Sequence, residues 1–527
     1  MTTAPRLILA APHPAALTAA RQAAERGGNA VDAALAAAAA LTVVYPHQCS
    51  LGGDLIALVH SPDGTVRAVL SAGAAAHDVD VDALRAADER MPAQGPQTVT
   101  VPGVVAGWTA LAEAHGTPGA LAAALLDAAI LAQEGATVSA GLARAARERV
   151  AQIAMDPGLT TLLTGADGAP LDESAPLPQP RLAAVLRALA DDPSSFYRGA
   201  VAEALADGLR RAGSPLTASD LAAHHAESVE ALVLDAAGTR WWAAPPPSQG
   251  ASLLALLEAA TAAAKLSEPE RTGVLVARCL DASAARDRLL GDPRGGAPDL
   301  DGLLRPAPLA GAQPPKPPFR PAGDTVAITA VDSTGLAVSL VQSVYQTFGS
   351  GICDPDTGIV LHNRGSAFSL RPGHPALIGP GLRPPHTLCP VLGRSDDLLL
   401  AAGCQGGRAQ PQILAQTVPE LMDPTADPAA VLDRPRWVTG ARDIGHETQT
   451  LLAEPRSVPA AFPSGESAGV ATTAFPSGLP VVVTTGRTDL AGHTQAVRLT
   501  ADGRLDGAAD PRADGGTTHH TPEGNPL

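Results

Sequence analysis

Two hydroxyls stand at either end of one alternating stretch, Thr325 and Ser343 in GDTVAITAVDSTGLAVSLVQS (residues 323–343). A threonine hydroxyl is a weak nucleophile until a base takes its proton. One available base is the threonine's own α-amino group, whose pKa of about 8 lies near working pH. That amine exists only if the chain is cut immediately before Thr325, so Asp324 and Thr325 would flank a cleavage site. The run before them, GDPRGGAPDLDGLLRPAPLAGAQPPKPPFRPA, has the Pro and Gly density of a linker or surface loop. The chemistry these features permit is acyl transfer from a self-exposed Thr, with the linker as the end that moves away.

The element that must bring the hydroxyls together is a hairpin. TVAITAVD and LAVSLVQS alternate around Ser333-Thr334-Gly335, a three-residue loop whose Gly335 suits the left-handed region, which sets Asp332 opposite Leu336. Counting outward, Thr325 falls opposite Ser343, with Cβ atoms roughly 5 Å apart. Paired hydroxyls also occur in strands for ordinary β propensity. The Pro-rich leader is what favours the chemical reading.

Around the hairpin the pattern is α/β. Residues 15–43 hold two Ala-rich helical runs separated by Gly27-Gly28-Asn29, with Asn29 as N-cap and Asp32 in the first turn. ALVHS and VRAVLSA flank a PDGT turn as a second hairpin. From about 104 to 290 the pattern is helical, broken by the strand-like ALVLDAAGTRWWAAPPP. After the central hairpin come the apolar strand and Gly-rich turn of DLLLAAGCQGGRAQPQ, the helix ILAQTVPELMD and a last hairpin around ADGRLDGAADPR. The tail from about residue 516, TTHHTPEGNPL, reads as disordered, and His519 and His520 as solvated there rather than metal-bound.

The chain has 527 residues and a formal charge of −16, and shows no basic face, which argues against nucleic acid and anionic lipid as partners. Its apolar fraction is 45% with only 2% aromatic, so helices are expected to pack closely on small side chains. Five cysteines without CxxC spacing suggest reduced thiols, not a disulfide framework or zinc ribbon. No signal-like or membrane-spanning segment is visible, which leads to the expectation of a cytoplasmic protein.

Taken together, HPAALTAARQAAERGGNAVDAALAAAAALTVVYPH, TVPGVVAGWTAL, FYRGAVAEAL, PPPSQG, the central hairpin through GSGICDPDTGIVLHN, GCQGGRAQ and ADPRADGG resemble the γ-glutamyltranspeptidases, a family of N-terminal-nucleophile hydrolases. The resemblance runs from about residue 13 to 515. It implies a four-layer αββα sandwich made as one precursor that cuts itself into a large subunit (residues 1–324, with the linker at about 291–322) and a small catalytic subunit (residues 325–527). It places Thr325 at the nucleophile, Ser343 at its hydrogen-bonding neighbour, and Gly406 and Gly407 at the backbone oxyanion hole. No metal or organic cofactor is implied. A dimer of processed heterodimers is compatible with it.

The family pattern breaks where the glutamate head is held. Ala72 stands at or near the position of a usual Arg, Tyr345 replaces an Asn, Arg364 replaces a Gln, and Ala367 replaces the Asp that holds the substrate ammonium. The paired serines become His386 and Thr387. Loss of an acid and gain of a cation should repel an ammonium and welcome a carboxylate. The alternative for Arg364 is a structural salt bridge or a solvated surface Arg; for His386 it is a hydrogen-bonded loop histidine. The leading expectation is hydrolysis of a small acidic substrate without a glutamyl head, either a dicarboxylic monoacyl amide or a carbon–carbon bond whose cleavage releases an oxalyl-type group, as in 4-alkylproline antibiotic biosynthesis. Competing expectations are a genuine γ-glutamyltransferase or glutathione hydrolase, and an uncut, non-catalytic binding homologue.

Overall fold

The structure, a computed structural model, describes residues 5–308, 323–458, 464–467, 470–474 and 479–522. Two antiparallel sheets form its centre. The first has seven strands in the order Gly516–His520, Leu7–Ala11, Gly323–Asp332, Ala337–Gln346, Asp54–His60, Val66–Ser71 and Glu227–Glu230. The second has six, in the order Leu505–Ala509, Thr494–Thr500, Leu398–Cys404, Val391–Arg394, Thr239–Ala243 and Leu232–Ala236.

Alternation along the strands gives each sheet two apolar faces. Ile8, Ile56, Leu58, Val331 and Val341 of the first sheet meet Trp242, Leu392, Ala401 and Val497 of the second in a shared core. On its other face the first sheet presents Leu9, Val59, Ile328 and Leu340 to Leu35, Leu41 and Trp108 of the helices Ala30–Val44 and Val104–His115. The second sheet packs Trp241, Val391 and Leu400 on Leu253, Leu257, Ile413 and Leu414 of the helices Gly250–Ala262 and Gln410–Leu421. The result is the expected four layers, αββα.

Small side chains do much of this packing. Every residue of Ala30–Val44 is buried, and eight of its fifteen are Ala. A buried methyl yields only about 0.8 kcal/mol, so this core gains from close approach over many residues rather than from a few rings. The helix starts as its sequence suggests: the Asn29 side chain accepts from the N–H of Asp32, and the Asp32 carboxylate accepts from the N–H of Asn29.

Residues before 324 and after 325 contribute strands to both sheets. A break between Asp324 and Thr325 would therefore leave two pieces held by one core. All five cysteines are buried thiols. No helix among the described residues is long and apolar enough to cross a membrane.

Three expectations need correction. Residues Gly516–His520 are not disordered but form the edge strand that pairs with Leu7–Ala11 in register Leu7↔His520 to Ala11↔Gly516. Their polar composition suits an edge strand, which buries little. The Pro-rich run is not irregular throughout: it contains a 3₁₀ turn at Pro293–Gly295 and a short helix at Leu300–Leu304, anchored by the buried Leu303. Residues 309–322 of that run lie outside the described residues. Finally, a five-stranded sheet that the pattern did not suggest (Trp437–Gly440, Thr450–Ala453, Pro480–Val483, Val470–Ala474, Ser464–Ser467) lies beside the helices Gly250–Ala262 and Glu268–Leu289.

Candidate active site

The hairpin holds the expected register from Val331↔Ala337 to Val326↔Gln342 and then shifts by one residue, resuming at Asp324↔Tyr345 and Gly323↔Gln346. Ser343 and Val344 thus form a bulge against Thr325. Val344 turns away from the hairpin: its N–H donates to Gln48 O at 3.0 Å and its carbonyl accepts from Asn363 N–H at 3.3 Å. The bulge leaves the two hydroxyls together. Thr325 Oγ1 donates to Ser343 Oγ at 3.1 Å, and Ser343 Oγ also accepts the Tyr345 N–H at 2.7 Å. Thr325 is 1% exposed in the uncut chain.

The bulge sends Tyr345 into the left-handed region, with φ 80°. For a bulky side chain this conformation costs about 1–3 kcal/mol. The ring it displaces faces the guanidinium of Arg364, whose Cζ stands over it at 3.8 Å from the ring centroid. Arg364 is fully buried and donates through Nη1 to Thr387 Oγ1 at 3.2 Å, whereas its Nε and Nη2 have no partner among the described residues. Burial lowers it to about 10, opposed by Tyr345 and Asp54, so it stays a cation at neutral pH. Arg364 is not a surface residue, nor, among the described residues, half of a structural ion pair. The carboxylate that influences it, Asp54, is itself engaged with His362 and His386.

Strand Leu398–Cys404 carries the glycines to the same end. It crosses the hairpin on the inner face, where Ser339 Oγ donates to Ala402 O at 2.7 Å and a Cβ on Gly403 would stand 3.2 Å from that of Ala327. Gly406 then adopts φ 143° and Gly407 φ 53°, and a Cβ on Gly406 would fall 2.4 Å from Ile413 Cδ1. Only Gly fits this turn. No acceptor among the described residues takes the N–H of Gly406 or Gly407, and helix Gln410–Leu421 begins just beyond. Two open N–H groups at the positive end of a helix are suited to an oxyanion. Gln249 fixes this loop, its Nε2 donating to Gly407 O at 3.0 Å and to Thr387 O at 2.8 Å.

Tyr345, Ala367 and Gly407 line one cleft of about 670 Å³, together with Arg286, Asp287 and Arg408. In the uncut chain Thr325, Arg364, Gly406 and Thr387 are not among its lining residues, and neither is His386. Its Nε2 donates to Asp54 Oδ2 at 3.1 Å and its Nδ1 accepts from Leu388 N–H at 3.3 Å, so both ring nitrogens are used inside the protein. Burial, then Arg364, lowers His386 to about 3. The expectation that His386 touches substrate is therefore corrected to the hydrogen-bonded alternative, and Thr387 reaches the site through Arg364. The sequence reading missed Asp54, Gln249, Arg286 and Arg408. Gln249 and Arg408 stand inside PPPSQG and GCQGGRAQ, where a signal existed; Asp54 and Arg286 sit in ordinary strand and helix patterns.

Comparisons with known proteins show what the whole chain is similar to. The sequence model of the gamma-glutamyltranspeptidase family matches residues 16–519. The chain is 37% identical over 524 residues to the oxamate amidohydrolase proenzyme of Klebsiella pneumoniae, covering 96% of this chain and 97% of that one. It is 27% identical over 535 residues to the glutathione hydrolase proenzyme of Escherichia coli, covering 93% and 87%. A crystal structure of a cephalosporin acylase from Bacillus halodurans superposes with TM-score 0.81 at 28% identity, over 98% of this chain and 96% of that one.

Proposed function

This chain belongs to the γ-glutamyltranspeptidase family of N-terminal-nucleophile hydrolases, and on that premise we propose that it is a self-processed Thr hydrolase of a small carboxylate-bearing amide, with oxamate as the first substrate to test. The observation that carries the acidic substrate is Arg364, a buried guanidinium with two open donors. A buried charge costs several kcal/mol unless it is paired. An incoming carboxylate would pair it.

In this reading the uncut chain is a precursor. Gly323 and Asp324 pair with Gln346 and Tyr345, both of which line the cleft. Attack of Thr325 Oγ1 on the Asp324 carbonyl shifts the acyl group from nitrogen to oxygen and frees the Thr325 amine; water then hydrolyses the ester to an Asp324 carboxylate and the free hydroxyl, and departure of the new C-terminal end exposes that amine to the cleft. The amine then takes the hydroxyl proton as Oγ1 adds to the substrate carbonyl. Ser343 aligns the hydroxyl, and the N–H groups of Gly406 and Gly407 receive the oxyanion, each worth about 3–4 kcal/mol. Collapse expels the substrate nitrogen as ammonia, which takes that proton back from the Thr325 amine, and leaves an oxalyl ester of Thr325. Water resolves it, so that oxamate and water give oxalate and ammonia.

Oxamate is the monoamide of oxalic acid, and the 37% identical relative bears the name oxamate amidohydrolase. The same site would suit a carbon–carbon bond next to an oxalyl group, including the antibiotic-pathway reaction. The substrate screen therefore includes 2-oxoacids. Purified processed protein is expected to release ammonia from oxamate and no p-nitroaniline from γ-glutamyl-p-nitroanilide. The reverse result would make it a γ-glutamyl enzyme and refute the assignment of Arg364.

A further inference from the structure

Resting on that reading, we infer that the cleft holds a second anion subsite at Arg286, so that the preferred substrate is an oxamate whose amide nitrogen carries another carboxylate. Arg286 lies in the last turn of Glu268–Leu289 and lines the same cleft as Tyr345 and Gly407. It is 7% exposed, and its Nε is buried without a partner among the described residues. Among the described residues its one ion pair is with Asp287, through Nη1 at 3.3 Å. That carboxylate is shared: Arg408, the residue after Gly407, also binds Asp287 Oδ1.

One carboxylate thus serves two guanidiniums. Asp443 is a second carboxylate near Arg408, its Oδ2 3.9 Å from Arg408 Nε, and Arg364 adds a third positive charge close enough to oppose the charge on Arg286. Burial lowers Arg286 to about 10, which leaves it cationic at neutral pH. In a chain of net charge −16, a local excess of buried guanidinium is suited to a bound anion. In the reading proposed above, Arg364 takes the carboxylate next to the scissile bond. The 670 Å³ of the cleft far exceeds what oxamate fills, and Arg286 stands in the remaining space.

The test compares two N-substituted oxamates with the same acyl group, N-oxalylglycine with its second carboxylate and N-ethyloxamate with a neutral tail. Hydrolysis of the first gives oxalate and glycine, and of the second oxalate and ethylamine. Processed wild-type enzyme should favour N-oxalylglycine by about tenfold or more in kcat/KM. Arg286→Leu should bring that ratio to within about threefold of unity, with Arg286→Lys between. Asp287 retains Arg408 in both variants, which protects the fold. A merely structural Arg286 would lower both rates in proportion and leave the ratio intact; that result, or a wild type without the preference, overturns the subsite. Turnover of oxamate is measured alongside: if oxamate is hydrolysed and the ratio is flat, the subsite alone falls. If no oxamate is turned over, the reading of the reaction falls, and thermal stabilisation of wild type and Arg286→Leu by the two compounds decides the subsite. Selective stabilisation by N-oxalylglycine in wild type supports it, and equal stabilisation refutes it.

Discussion

Thr325 Oγ1 lies 3.1 Å from Ser343 Oγ across a bulge that only the second of the two strands carries. The bulge has two consequences. It keeps the hydroxyls in contact, and it turns the ring of Tyr345 onto Arg364. The parts proposed for bond cleavage and for substrate choice are thereby coupled through two intervening bonds of one chain.

Ser343→Ala should slow both self-cleavage and turnover while leaving KM for oxamate nearly unchanged, because the hydroxyl aligns Thr325 and touches no substrate. A drop of about 10- to 100-fold in kcat is expected. Ser343→Thr should keep most of the activity. A time course of precursor processing with steady-state kinetics on the mature enzyme checks this, and a pure KM effect would count against it.

Tyr345→Asn separates backbone from ring. Asn tolerates the left-handed region, so stability should change by less than about 1 kcal/mol, as read by urea unfolding. Loss of the ring over Arg364 should raise KM for oxamate severalfold. Severe destabilisation would show that the ring, not the bulge, holds this segment.

Two buried arginines should respond in opposite ways. Arg436 is satisfied, its Nη2 donating to Asp510 Oδ2 at 2.6 Å and Gly492 O at 2.7 Å and its Nε to Ala491 O at 3.1 Å. Arg436→Met removes one of the two arginines that hold the buried Asp510 carboxylate, leaving Arg512, takes a donor from two buried carbonyls, and should cost about 3–5 kcal/mol. Arg364 has little to lose. Arg364→Met should leave stability unchanged or raise it, while KM for oxamate rises by about 100-fold through loss of charge-assisted bonds. Similar destabilisation of both variants would mean that Arg364 is a structural cation.

The protein should weaken in mild acid. Burial lowers His47 and His386 to about 3 and His13 and His224 to about 4. In the unfolded chain each takes a proton near pH 6.5. Between there and pH 4 the unfolded state binds more protons, so stability is full above about 6.5 and falls as pH drops through that window. Urea midpoints at pH 7.5, 6 and 5 should decline in that order. A flat series would contradict the neutral assignments.

Much of this was legible in the sequence because it is local. The alternation of TVAITAVD and LAVSLVQS and the turn at Gly335 set the register as far as Gln342, and the Asn29–Asp32 capping box marked a helix start. The bulge was not legible, because Val344 is drawn aside by Gln48 and Asn363, residues on other segments. The strand Gly516–His520 escaped notice since its pairing with Leu7–Ala11 spans almost the whole chain and an edge strand needs no apolar alternation. Arg364 could be named as the changed residue, but its two open donors depend on what surrounds it. Arg286 and Asp54 sit in patterns that helix and strand formation alone would explain.

The central claim is that the chain cuts itself before Thr325 and then uses that residue on substrate. Intact-protein mass spectrometry of the purified wild type and of Thr325→Ala tests it most directly. The account predicts two wild-type fragments divided between Asp324 and Thr325, and a single full-length, inactive chain for the variant. A wild type that stays full-length, or a Thr325→Ala protein that is cut at the same bond or turns over substrate, would contradict it.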